Sequence, residues 1–98
     1  MIVEFSERAA SQIEEVVRFI AVDKPGAARN WAESVRQSVM KLADFPYIGR
    51  VVPEFSEDSF RELLHGEYRI VYKIDEKVSR VVVISLYHTR RLMGLEEE

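Results

Sequence analysis

The sequence predicts a two-layer α+β domain: an N-terminal strand, an antiparallel helical hairpin, and a curved, mainly antiparallel sheet under that hairpin, in the order β-α-α-β-β-β. Three observations carry this. Two amphipathic helical stripes fill the first half of the chain, parted only by Asp23-Lys24-Pro25-Gly26. Three β-leaning segments fill residues 60–88, and the turns joining them are too short for anything but antiparallel pairing. Neither helix can bury its stripe on the other alone, so a sheet must cover the remainder.

Ile2 to Phe5 is short and β-leaning. Ser6 then suits a helix N-cap, with Glu7 favourable in the first turn. Ala9, Ile13, Val16, Val17 and Ile20 recur at helical spacing, with Glu14, Glu15 and Arg18 on the other side. Pro25 can open a helix but cannot continue one, so a new helix starts there. Its stripe is Ala28, Trp31, Val35, Val39 and Leu42, and it should end near Asp44 or Phe45, before Pro46. Residues 46–59, with two prolines and one glycine, read as a long irregular connection, a length that marks function or mobility.

Phe60 to His65 is a short strand, and Gly66-Glu67 a tight turn. Tyr68 to Asp75 alternates, with Tyr68, Ile70, Tyr72 and Ile74 on one face and Arg69, Val71 and Lys73 on the other. Arg80 to His88 is almost continuously apolar, as expected of a central strand covered on much of both faces. We read residues 1–95 as one domain and Glu96, Glu97 and Glu98 as an acidic tail.

Composition narrows the function. The 98 residues include no cysteine, which excludes disulfides and thiolate metal sites and agrees with a reducing cytosol. No apolar run is long enough to span a bilayer, and the N-terminus lacks the pattern of a signal peptide, so a soluble cytoplasmic protein without membrane contact is expected. The formal net charge of -3 argues against bulk attraction to nucleic acid. The distribution still allows a basic patch, because Lys77, Arg80, Arg90 and Arg91 lie in a stretch without acids.

The candidate site is the sheet face turned away from the helices. Arg69 and Lys73 look outward there by alternation. Arg61 could stand on the same face, and two arginines suit phosphate or carboxylate groups. The ordinary account is a solvated antiparallel face. His88 shares parity with Val82, Ile84 and Leu86, which puts it on their face. A histidine there serves as an acid or base only if a partner is aligned with it, and more often such a residue is structural. Arg90 and Arg91 follow the strand, as a solvated basic end or as a docking surface. His65 and His88 lack metal-ligand spacing, and there is no Gly-rich phosphate loop, so no metal and no cofactor are expected.

Three fragments resemble the RelE/ParE superfamily of toxins from type II toxin–antitoxin systems: Gly49-Arg50-Val51-Val52-Pro53-Glu54-Phe55, residues 61–75 with the Arg-Glu-Leu and Tyr-Arg-Ile-x-Tyr patterns, and residues 81–91 closing in His-x-x-Arg. The likeness covers nearly the whole chain. It implies a RelE/ParE-like fold and a small plasmid-stabilisation-type toxin neutralised by a cognate antitoxin, as a homodimer or as a toxin–antitoxin hetero-oligomer. RelE-like members cleave ribosome-bound mRNA without a metal; ParE-like members inhibit DNA gyrase; a non-toxic interaction module of the same fold is the remaining alternative. For a nuclease, the resemblance implies Arg69 and His88, with Tyr87, as catalytic groups. For target or antitoxin binding it points to Arg50, Arg61, Arg69, Lys73, Arg90 and Arg91. Thr89 stands where a RelE-like arginine is expected, and Leu95 near the expected terminal tyrosine. Those departures and the acidic charge favour the ParE-like branch.

Overall fold

The computed structural model describes residues 1–89. Its elements are β1 (Ile2–Phe5), α1 (Glu7–Ala21), α2 (Pro25–Met40) with a 3-10 turn at Lys41–Ala43, β2 (Arg50–Val51), β3 (Phe60–His65), β4 (Tyr68–Asp75) and β5 (Arg80–His88). The strands form one sheet in the order β1-β5-β4-β3-β2. β1 runs parallel to β5, and the remaining pairs are antiparallel. The fold class expected from the sequence is the one observed. The connection expected to be irregular over residues 46–59 contains the two-residue strand β2, which pairs with Glu62 and Arg61.

Local chemistry sets each boundary. The Ser6 hydroxyl accepts from the Ala9 N–H at 3.0 Å and donates to the Ile84 carbonyl at 3.1 Å, so the same side chain caps α1 and ties it to β5. Pro25 opens α2 at its first turn, where the missing N–H costs nothing. Gly66 takes φ +59° in the two-residue turn between β3 and β4, a conformation other residues resist.

The main core lies between the hairpin and the sheet. Ala9, Val35, Val39 and Leu42 from the helical layer meet Ile70, Tyr72, Val81 and Val83. The alternation read from β4 is therefore correct for Tyr68, Ile70, Tyr72 and Ile74. His65 fastens the end of β3 to α2. Ser34 spends its one hydroxyl proton on the Trp31 carbonyl at 2.7 Å, so His65 Nε2 donates to Ser34, while His65 Nδ1 shares a hydrogen bond of 3.1 Å with the Ser38 hydroxyl.

β5 does not alternate cleanly. Val71 pairs with Ser85 and Tyr72 with Val83, which leaves Ile84 as the extra residue of a bulge. Val81, Val83 and Leu86 face the helices, whereas Ile84 and Tyr87 pack on the opposite side with Val52 and Val71. That opposite side is a second, smaller core. The segment between β2 and β3 folds over it, with Phe55 set against Phe60 at 4.7 Å between ring centroids.

Candidate functional site

Arg69 is the centre of the outer face. It stands on β4 between Leu64 of β3 and Tyr87 of β5. Cross-strand neighbours share a face, so the β3 register also brings Glu62 there, opposite Val71 on one side and Arg50 on the other. Arg69 donates from Nε to Glu62 at 2.7 Å, and from its two terminal nitrogens to the two oxygens of Glu54 at 2.9 Å each. Arg50 donates to the second oxygen of Glu62. Two arginines and two carboxylates thus alternate in a chain, Arg50–Glu62–Arg69–Glu54.

The network is unevenly buried. The Glu62 side chain is fully covered and Arg69 nearly so, while the Arg50 side chain is 59% exposed and that of Glu54 32%. A covered carboxylate is tolerable here because both of its oxygens receive charged donors. Hydrogen bonding to Glu54 holds the Arg69 guanidinium more firmly protonated than usual, against the opposing effect of burial. The same hydrogen bonds hold the Glu54 carboxyl below the ordinary carboxylate range.

The outer face is therefore not the solvated surface expected. Arg69 is 7% exposed and Val71 is covered completely, because residues 52–60 lie over them. Lys73 alone of the three is exposed, with its ammonium 5.3 Å from the Phe60 ring centroid. Arg61 is also displaced from its expected place. It pairs with Tyr72 and so faces the helix side, where it donates to the carbonyls of Asp58 and Gly49 and lies 5.0 Å over the Tyr47 ring. The second arginine beside Arg69 is Arg50.

His88 is on the other face. The bulge at Ile84 reverses the parity of the strand, so His88 keeps company with Leu86 but not with Val82 or Ile84. Its ring meets the Tyr68 ring edge-on at 5.5 Å, and its Nε2 is 3.5 Å from a Glu67 oxygen. It opens on a groove between α1 and the sheet lined by Gln12, Glu15, Phe19 and Tyr68. Tyr87 stays on the Arg69 face, buried, with its hydroxyl 3.4 Å from an Arg8 terminal nitrogen. Arg69 and Tyr87 are thus neighbours, and His88 is separated from them by the sheet. Arg90 and Arg91 lie outside the described residues.

Sequence reasoning missed Glu62 and Glu54 as the partners of Arg69. Glu62 was legible: the two-residue turn at Gly66-Glu67 sets the register that places it diagonally from Arg69. Glu54 had no comparable signal, since it sits in irregular chain. Among the described residues no cluster of histidines and acids could hold a metal ion, and no helix is long and apolar enough to cross a membrane.

A family model described as the ParE toxin of the type II toxin–antitoxin system, parDE, matches residues 3–93. A comparison with curated proteins gives no match. Among solved structures, the chromosomal ParDE toxin–antitoxin system of P. aeruginosa is similar at a TM-score of 0.75 and 13% identity, over 92% of this chain and 97% of that one. The RelBE2 toxin–antitoxin complex of Mycobacterium tuberculosis is similar at 0.64 and 20% identity, over 89% of this chain and 95% of that one. The isolated E. coli RelE toxin is similar at 0.64 and 18% identity, over 98% and 92% respectively. At these identities the likeness to solved structures establishes the fold.

Proposed function

The chain belongs to the ParE toxin family of type II toxin–antitoxin systems, and from that premise we propose that it arrests growth in the cytoplasm by binding a protein target such as DNA gyrase, until a cognate antitoxin neutralises it. The observation that carries this reading is the separation of His88 from Arg69 by the sheet. Metal-free RNA cleavage needs a cation on the scissile phosphate with an acid and a base aligned beside it. His88 lies across the sheet from the Arg69 guanidinium, and Tyr87 beside Arg69 is buried, so no acid and base are aligned on the Arg69 face. The net charge of -3 supports the same choice, since a dense phosphate surface would steer such a chain poorly.

Two assays on the full chain test it. Purified protein should inhibit supercoiling by gyrase, and primer extension on translated mRNA during growth arrest should find the message uncut. Normal supercoiling at high protein concentration overturns the gyrase reading. Cuts within codons that vanish in His88→Ala would put the RelE-like endonuclease in its place.

A further inference from the structure

The Arg69 guanidinium has two donor edges, and they are filled differently. Its Nε edge meets Glu62, a strand residue with a covered side chain whose other oxygen is held by Arg50. Its outer edge, the planar fork made by the two terminal nitrogens, meets Glu54 with two equal bonds of 2.9 Å. That is the geometry with which arginine recognises a carboxylate. Glu54 comes from irregular chain, and its side chain is the more exposed member of the pair, 32% against 8% for Arg69. Solvent therefore reaches the bond from the Glu54 side.

The backbone around Glu54 is fixed independently of that bond. Val52 is fully buried on one side of it, and Phe55 packs on Phe60 on the other. Those contacts do not involve the Glu54 side chain, which is already part-exposed, so they would still hold the segment if that side chain turned away. Its departure would leave Arg50 and Arg69 against Glu62 alone, a net positive charge in a largely covered place, which only another anion can neutralise. Arg50, well exposed beside it, adds a second cation to the approach.

We propose that the outer fork of Arg69 is a carboxylate-recognition site that Glu54 occupies in the free chain, and that an Asp or Glu side chain of a protein partner takes the place of Glu54 on docking. The assignment of a protein partner rests on the binding reading given above; the site itself does not. A carboxylate is favoured over a nucleic-acid phosphate because a carboxylate already fills the fork and the chain is net acidic.

The test uses the full chain with sodium acetate as the probe and sodium chloride at matched ionic strength as the control. Glu54→Ala should gain thermal stability saturably with acetate and not with chloride. Its half-saturating concentration should be at least about tenfold below that of the unchanged chain, where acetate must compete with Glu54. Glu54→Gln fills the space and keeps an acceptor, so it secures the experiment if the alanine variant does not fold. There the Arg69 side-chain N–H signals should shift saturably with acetate in an NMR titration. Acetate acting no differently from chloride on both variants overturns the proposal. Saturation by inorganic phosphate without saturation by acetate overturns the choice of carboxylate. Neither outcome involves gyrase, so failure here is distinguishable from failure of the proposed function.

Discussion

Gly49→Ala should be among the most damaging single-methyl additions this chain can receive. A Cβ at Gly49 would sit 2.5 Å from the Glu62 carbonyl oxygen, 2.6 Å from the Tyr72 hydroxyl and 3.0 Å from the Glu62 carbonyl carbon. Two of those atoms are backbone of β3 and cannot swing aside. Forcing such an overlap costs about 1–3 kcal/mol. Relief requires β2 to move off β3, and that motion draws the Gly49 N–H from the Tyr72 hydroxyl, now 3.0 Å away, and the Gly49 carbonyl from Arg61, now 3.1 Å away. Each lost bond adds about 0.5–1.5 kcal/mol. A loss near 3 kcal/mol is expected, or about 12–24 °C in thermal midpoint for a chain of this size. Urea unfolding followed through Trp31, which packs against the main core, measures it. Tyr72→Phe removes one of the two closest contacts, so in its background the glycine substitution should cost less than alone. A Gly49→Ala variant within about 0.5 kcal/mol of the unchanged chain would refute the reasoning, because that is the range of substitutions that touch nothing.

Three further outcomes follow from the same geometry. Arg69→Ala leaves the covered Glu62 with Arg50 as its remaining charged donor and should cost about 3 kcal/mol in urea unfolding, the low end for a broken buried pair, with part of the loss regained by Glu62→Gln in the same chain. Ser6→Ala removes both the cap of α1 and the bond to Ile84, and should lower stability by about 1–2 kcal/mol in the same assay. The Glu54 carboxyl is depressed by the hydrogen bonds from Arg69, so its contribution is present above the unfolded value near 4.5 and is lost as pH falls through the lower folded value. The stability difference between the unchanged chain and Glu54→Gln should accordingly be full at neutral pH and shrink below about pH 4.

The Arg69 result bears on how activity data are read. An Arg69→Ala variant that no longer arrests growth would show nothing about chemistry unless its folding were checked, because Arg69 joins β4 to β3 and to the segment over the outer face. A variant such as Lys73→Ala, exposed and outside the ion-pair chain, tests the surface without that confusion.

Helix and strand positions were largely legible because periodicity and turn chemistry are local signals. Ser6, Pro25 and Gly66 each mark a boundary that the fold respects. The face of a side chain was less legible, and for one physical reason. Alternation propagates only while the ladder is regular, and the bulge at Ile84 interrupts it between Val83 and Ser85. Nothing in a run of valine, isoleucine and leucine marks that interruption, so alternation predicts one set of neighbours for His88 and the fold gives it another. The outer face failed for a different reason. Whether a sheet face is wet depends on what crosses it, and residues 52–60 carry no periodicity that announces where they will lie. Arg50 and Glu62 could have been joined from register; Glu54 needed the path of that segment.

The pairing of β1 with β5 governs the order in which the molecule can be completed on the ribosome. Val3 waits for Val81, and Ser6 reaches Ile84 across 78 residues. The helical hairpin emerges early, but β4 and β5, the strands it packs on, emerge after every other described element. A nascent chain therefore carries an unsupported amphipathic hairpin until those strands are made; the members of the Arg69 network are all present once β4 is made, whereas the main core, which needs Val81 and Val83, waits for β5. The core is closed late, by long-range contacts, and a chain halted before residue 80 would lack the strand to which β1, β4 and the Ser6 hydroxyl all bond.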